Sequence, residues 1–177
     1  MEYLAALGHE RLGLVTGPQV EMHTTDLCEG FFAALEEFRL SLHPEWRIEL
    51  SLETANKDGA CEALAPTLAS ANRPTGIVFA SDWMALGGYK AARQAGLSVP
   101  QELSVISHDN LPLSAELSPA LTTFDVEPGR VADLLVQLVT DMERNRLSEN
   151  AVQREIHIVP ELVKRQSCAC LRLRAHS

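Results

Sequence analysis

A chain of 177 residues with 46% hydrophobic and 22% charged residues has the make-up of a soluble globular protein of one domain or slightly more. Its formal net charge of -9 and pI of about 5.1 argue against direct nucleic-acid binding, which leaves a basic footprint. No apolar run approaches the roughly 18 residues of a membrane helix, and Met1-Glu2-Tyr3-Leu4 has neither the basic nor the apolar region of a signal peptide.

The elements alternate between strand and helix. Arg11 to Thr16 is an apolar run that stops at the turn signal Gly17-Pro18. A helix is expected over about Thr25 to Leu42, with Leu27, Phe31, Leu35 and Phe38 at i, i+3/i+4 spacing. Trp46 to Leu52 alternates with period two, as a half-buried strand does. Asp58 to Ala71 reads as a helix with Cys61, Leu64, Ala65 and Leu68 on one face.

Gly76 to Ala80 has the composition of a buried strand. Ser81 then offers an N-cap to a helix from Asp82 to Gln94, closed by Gly96. Leu103 to Ile106 and Leu121 to Phe124 are the next strands. Pro128 suits the first turn of a helix reaching Asn145, with a stripe of Val131, Leu134, Leu135, Leu138, Val139 and Met142. Ile156 to Val159 is expected to be a last strand before Pro160.

Strands alternating with crossover helices dictate right-handed βαβ units. The fold class is α/β, with a doubly wound parallel sheet whose order over 11–16, 47–52, 76–80, 103–106 and 121–124 is 2-1-3-4-5. A ligand crevice belongs at the carboxyl ends of its strands.

Few residues point to chemistry. Cys28 and Cys61 sit in helical stretches that suit buried thiols, and Cys168-Ala169-Cys170 reads as a frayed tail; one C-x-C without a second pair is a weak metal signal. Free thiols suit a reducing cytoplasm. His23, His43, His157 and His176 lack ligand spacing, and His9 after Gly8 suits a turn or cap. Glu36-Glu37 and the run from Asp141 to Arg146 read as solvated helix faces. A G-x-G-x-x-G after the first strand, a P-loop and a G-x-S-x-G elbow are all missing, so no enzyme, cofactor or catalytic residue is expected.

Four stretches, in this order and spacing, resemble the LacI/GalR family of bacterial transcriptional regulators. They are Leu7-Gly8-His9-Glu10-Arg11-Leu12 with Val15 and Gly17; Phe79-Ala80-Ser81-Asp82-Trp83-Met84-Ala85-Leu86-Gly87; Val99 to Ile106 leading into Asp109-Asn110; and Pro119-Ala120-Leu121-Thr122-Thr123 with Pro160 to Arg165. The resemblance implies one lobe of a periplasmic-binding-protein-like (type I) fold, with a small effector, sugar-like or nucleoside-like, bound between two lobes. On that reading, 1–125 is the C-terminal lobe. Residues 126–152 form a helix crossing back to a first lobe, and 153–177 the final strand and tail. DNA would be contacted only through an N-terminal helix-turn-helix domain that this chain lacks. The runner-up is a sugar-binding protein of the same fold outside transcription.

The resemblance also implies site residues. Asp109 matches an acid that accepts hydrogen bonds from effector hydroxyls, and an ionised carboxylate offers about four lone-pair sites; an Asx-type turn is the other reading. Asn110 follows it. Ser81 and Asp82 lie at a strand-to-helix junction, where a cap and an effector contact are both open. The small residues Ala85, Gly87, Gly88, Ala91 and Ala92 suit either packing on the sheet or a dimer contact, and the stripe after Pro128 favours a homodimer. Four positions depart from the family pattern. Leu27 stands where an effector-clamping arginine is usual, Thr54 where an aromatic ring is frequent, Ser107 where glycine is usual, and His108 where an aromatic is common.

Overall fold

The computed structural model describes residues 1–18, 22–144 and 156–171. A short helix α1 (Glu2–Ala6) precedes strand β1 (Leu12–Thr16), helix α2 (Met22–Glu37) and a 3-10 turn at Pro44–Trp46. Then come β2 (Arg47–Glu49), α3 (Lys57–Ala69), β3 (Gly76–Phe79), α4 (Asp82–Gln94) and β4 (Ser104–Asp109). The chain continues through α5 (Leu113–Glu116), β5 (Thr122–Asp125), α6 (Pro128–Arg144) and β6 (Glu161–Val163). The sheet order is β2-β1-β3-β4-β5-β6, with the first five strands parallel. This is the doubly wound sheet expected from the alternation. A sixth strand is added antiparallel, with Thr123 opposite Val163.

Successive side chains of a strand point to opposite faces, so β3 and β4 supply two cores. Ile77, Phe79 and Val105 join Leu64, Leu103 and Leu121 beneath α3 and α4. Val78 and Ile106 join Leu4, Leu12, Leu14 and Phe31 beneath α1 and α2. Burial on both faces is why these strands read as continuous apolar runs.

Helix α4 begins and ends where the sequence predicts. Ser81 Oγ accepts from the Met84 N–H at 3.3 Å, and Gly96 takes φ +71 beyond the last turn. Its small residues face inward. A Cβ on Gly87 would lie 2.2 Å from the Lys57 carbonyl, and one on Gly88 2.3 Å from the Phe79 ring. Of the two readings of this stripe, the contacts favour close packing on α3 and β3.

Several boundaries differ from expectation, each with a local cause. Helix α2 stops at Glu37 because Arg39 takes φ 54 and the Leu40 and Arg39 amides return to Leu35 and Glu36, a left-handed termination without glycine. Trp46 belongs to the 3-10 turn, its indole donating to the Asn72 carbonyl at 3.1 Å. Strand β2 ends early because the Thr54 hydroxyl accepts from the Ser51 amide and closes a turn. Ile156 to Val159 is not a strand; pairing with β5 falls at Glu161–Val163. The segment after β6 is not a frayed tail. Ser167 is fully buried, with Oγ donating to Val105 O (2.6 Å) and accepting from Thr122 N–H (2.8 Å). The Gln166 amide bonds Ala120 O and the Leu171 amide bonds Leu7 O. The expected extension of the last helix to Asn145 and beyond, Arg146 and His176 lie outside the described residues.

Candidate functional site

Parallel strands place their carboxyl ends on one edge of the sheet, and a cavity of about 550 Å³ opens there. Phe79 from β3, Ser107 and His108 from β4, and Phe124 and Val126 at the end of β5 form its base. Asp26, Leu27, Gly30 and Phe31 of α2 form one wall. Val131 of α6, with Ile158 and Pro160, closes the other. The volume suits a small molecule. The stretch 156–159, expected as a strand, instead contributes Ile158 to this cavity.

The four sequence-predicted site residues lie close by in the chain, and none of them lines the cavity. Asp82 is fully buried. Its Oδ1 accepts from Thr123 Oγ1 (2.7 Å), and its Oδ2 accepts from the Leu111 amide (2.8 Å) and Ser114 Oγ (2.5 Å). The carboxylate thus ties the start of α4 to β5 and to the loop before α5. Ser81 is the N-cap of α4.

Asn110 belongs to the same network. Its amide N–H donates to Thr123 Oγ1 (3.3 Å), its Nδ2 to Asp125 Oδ2 (2.9 Å), and its Oδ1 accepts from the Arg165 guanidinium (2.7 Å). Arg165 also donates to the Leu121 carbonyl at 2.8 Å. The Glu127 amide, Asn110 and the nearby Arg165 charge together hold the Asp125 carboxyl below its usual range. Structure thus brings Asp82 and Asn110 together through Thr123, a residue of the fourth family-like stretch for which sequence reasoning assigned no site role.

Asp109 stands apart. Its side chain is 34% exposed, and its Oδ1 lies 3.4 Å from His108 Nδ1. Its backbone takes φ 116 and that of Asn110 φ 52. A β-carbon makes such values costly, by about 1–3 kcal/mol for a residue outside its preferred regions. The strained pair is held by the β4–β5 ladder, which runs to Asp109 opposite Asp125.

The departures from the family pattern also find their places. Leu27 lines the cavity where the resemblance implies a guanidinium. Thr54 closes the Ser51 turn and crowds Gly59, where a Cβ would meet the Thr54 carbonyl at 2.2 Å. Ser107 is buried, and its hydroxyl has no hydrogen-bond partner among the described residues. His108 lines the cavity with its ring 6.2 Å from that of Phe124. Sequence reasoning missed the cavity residues Phe31, Phe124, Val126, Val131 and Ile158 as a group, because apolar residues carry no motif; only their position at strand ends marks them. No group of three or more histidine, cysteine or acidic side chains placed to hold a metal occurs among the described residues.

Comparison with known proteins places this geometry. A family model described as a periplasmic binding protein-like domain matches residues 1–168. A PurR-type transcriptional repressor of Aliivibrio salmonicida is 32% identical over 94% of this chain and 48% of its own length. The ribose operon repressor of Haemophilus influenzae is 29% identical over 93% and 48%. The chain therefore spans about half the length of the curated relatives it matches. Among solved structures, a LacI regulator from Bacillus cereus subsp. cytotoxis superposes with a TM-score of 0.87 at 27% identity, covering 97% of this chain and 58% of that one. A Lac repressor dimer, solved bound to operator and an anti-inducer, gives 0.80 at 26% identity over 95% and 56%. These relatives are transcriptional repressors rather than enzymes or transport proteins. Sheet order, a cavity at the strand ends and a match over almost the whole length converge, and the chain belongs to the periplasmic binding protein-like domain family, on the side of it populated by LacI-type transcriptional regulators.

Proposed function

We propose that this chain is the effector-binding and dimerisation part of a LacI-type repressor or activator of the cytoplasm, with a small-molecule effector in the cleft at the strand ends. The observation that carries this reading is the cavity itself, seated at the carboxyl ends of β3, β4 and β5 in a fold whose relatives are repressors. Asp109, next to the lining residue His108, is then the polar group nearest the effector, with Asn110, Ser81 and Asp82 holding the neighbouring loop and helix. DNA contact belongs to the half of the relatives' length that this chain does not match, in keeping with its net charge of -9.

Helix α6 supports association. Val131, Leu134 and Leu138 are half-buried, whereas Leu135, Val136, Val139 and Met142 remain 56–70% exposed. In the reading by lobes, 126–152 packs on a first lobe; as an isolated chain the helix pairs with a second copy. Apolar exposure on this scale marks an interaction surface.

Two measurements test the proposal. Differential scanning of the 177-residue chain against a small-molecule library should find a compound that raises Tm, since a ligand that binds only the folded state stabilises it. Fluorescence anisotropy with duplex DNA at physiological salt should show weak, sequence-blind binding at most. Operator-selective binding in the nanomolar range by this chain alone would refute the assignment of DNA recognition to another domain.

A further inference from the structure

The cavity's lining is at odds with a polyhydroxylated guest. Two phenyl rings, from Phe31 and Phe124, come from different elements, and Leu27, Val78, Val131 and Ile158 complete a largely apolar shell. Among the described residues that line it there is no lysine or arginine side chain, and no asparagine or glutamine. The polar side chains among the described lining residues are Asp26, Ser107 and His108, so a sugar seated here would still bury most of its hydroxyls against hydrocarbon. His108 is the one lining side chain that combines an aromatic ring with hydrogen-bonding nitrogens. Asp109 Oδ1 lies 3.4 Å from its Nδ1. A carboxylate at that nitrogen holds the proton on Nδ1 and leaves Nε2 as an acceptor.

Resting on the reading of this cavity as the effector site, we propose that it takes an uncharged aromatic or alicyclic molecule carrying one hydrogen-bond donor, received by His108, rather than a sugar. Leu27 is then the specificity-determining residue: its hydrocarbon on the α2 wall offers neither a charge to anions nor a donor to paired hydroxyls.

The test is an NMR titration of the full 177-residue chain, following the methyl signals of Val131 and Ile158, with phenol, cyclohexanol, anisole, ribose and glucose as probes. Phenol and cyclohexanol are expected to shift both methyls with Kd on the order of millimolar, and ribose and glucose to leave them unmoved at tenfold higher concentration. Anisole, which has the ring without the donor, should bind about tenfold more weakly than phenol to the native chain and equally to His108→Phe. Val131→Trp, which fills the cavity, should abolish phenol binding; its own spectrum reports whether it is folded, and Leu27→Arg serves as the second variant, expected to weaken phenol about tenfold. Sugar binding that Val131→Trp blocks would overturn the ligand class while leaving the cavity as the effector site. Phenol binding equal to that of anisole would overturn the donor assigned to His108. Failure of every probe to move either methyl, or binding indifferent to Val131→Trp and Leu27→Arg, would overturn both this proposal and the reading of the cavity on which it rests.

Discussion

The two ends of this sheet are built on opposite principles. At the amino ends of β4 and β5, the segment around Ser167 is threaded between strands, and its hydroxyl joins Val105 to Thr122. His9 closes the same region, its Nδ1 3.0 Å from Thr75 Oγ1 and its Nε2 3.0 Å from Ala169 O. At the carboxyl ends there is a cavity, two consecutive residues with positive φ, and at Ser107 a buried hydroxyl without a partner among the described residues. The difference teaches where this molecule holds its stability and where it gives some of it up. Strain and unmet polar groups gather at binding sites because a rigid scaffold elsewhere sustains them.

The comparison is first sharpened by Asp82, because it lies at the open end yet behaves like the closed one. Its carboxylate receives two hydroxyls and an amide in a fully buried setting. Asp82→Ala leaves all three donors unpaired and is expected to destabilise the chain by about 3 kcal/mol, measured by urea unfolding. A loss under about 1 kcal/mol would mean that the network adds little and that Asp82 is free to serve the effector.

Ser167 probes the closed end. Ser167→Ala deletes a hydroxyl that both donates and accepts, stranding the Thr122 amide and the Val105 carbonyl; the expected cost is about 2 kcal/mol. Cys168, beside it, should resist alkylation, since burial pushes its thiol up to about 11. The exposed Cys170 should react with iodoacetamide first. A neutral Ser167→Ala together with equally fast labelling of Cys168 and Cys170 would show that this end is not sealed.

These residues show what a sequence can and cannot reveal. Strands β1 and β3 and helix α4 were legible because their signals are local: apolar runs, a serine cap and a glycine stop. The sheet order followed from crossover length. The last strand was misplaced because Ile156 to Val159 alternates only weakly, whereas pairing with β5 selects Glu161–Val163 from a distance. The threading of Ser167 was illegible for the same reason, as both its partners are more than 40 residues away. At the site, Asp82 and Asn110 could be named from position, but their joining through Thr123 depends on the register of β4 against β5. The cavity is mostly apolar and left no motif.

Returning to the open end, Asp109→Gly tests whether strain is held there. Glycine adopts φ 116 without a steric penalty, so the variant should be more stable by about 1 kcal/mol, read as a rise in the urea midpoint at unchanged m-value. Destabilisation instead would mean that the carboxylate, through His108, contributes more to the fold than its backbone costs.

The smallest expected effect is a pH dependence at the closed end. His9 is buried and its pKa is lowered, chiefly by loss of water around the ring, opposed by its bond to the Ala169 carbonyl. Its folded pKa therefore lies below the unfolded value of 6.5. Between the two, the unfolded chain binds more protons than the folded one, so stability rises with pH through that window. The contribution is present above pH 6.5 and is lost as the pH falls toward the folded pKa. Urea unfolding at pH 7.5 and pH 5.5 should show the native chain weaker in acid, and His9→Gln, which has no proton to gain in that range, should show a smaller difference. Equal pH slopes for the two chains would assign the acid sensitivity to other groups, and the neutral, bridging imidazole would then no longer distinguish the closed end from the open one.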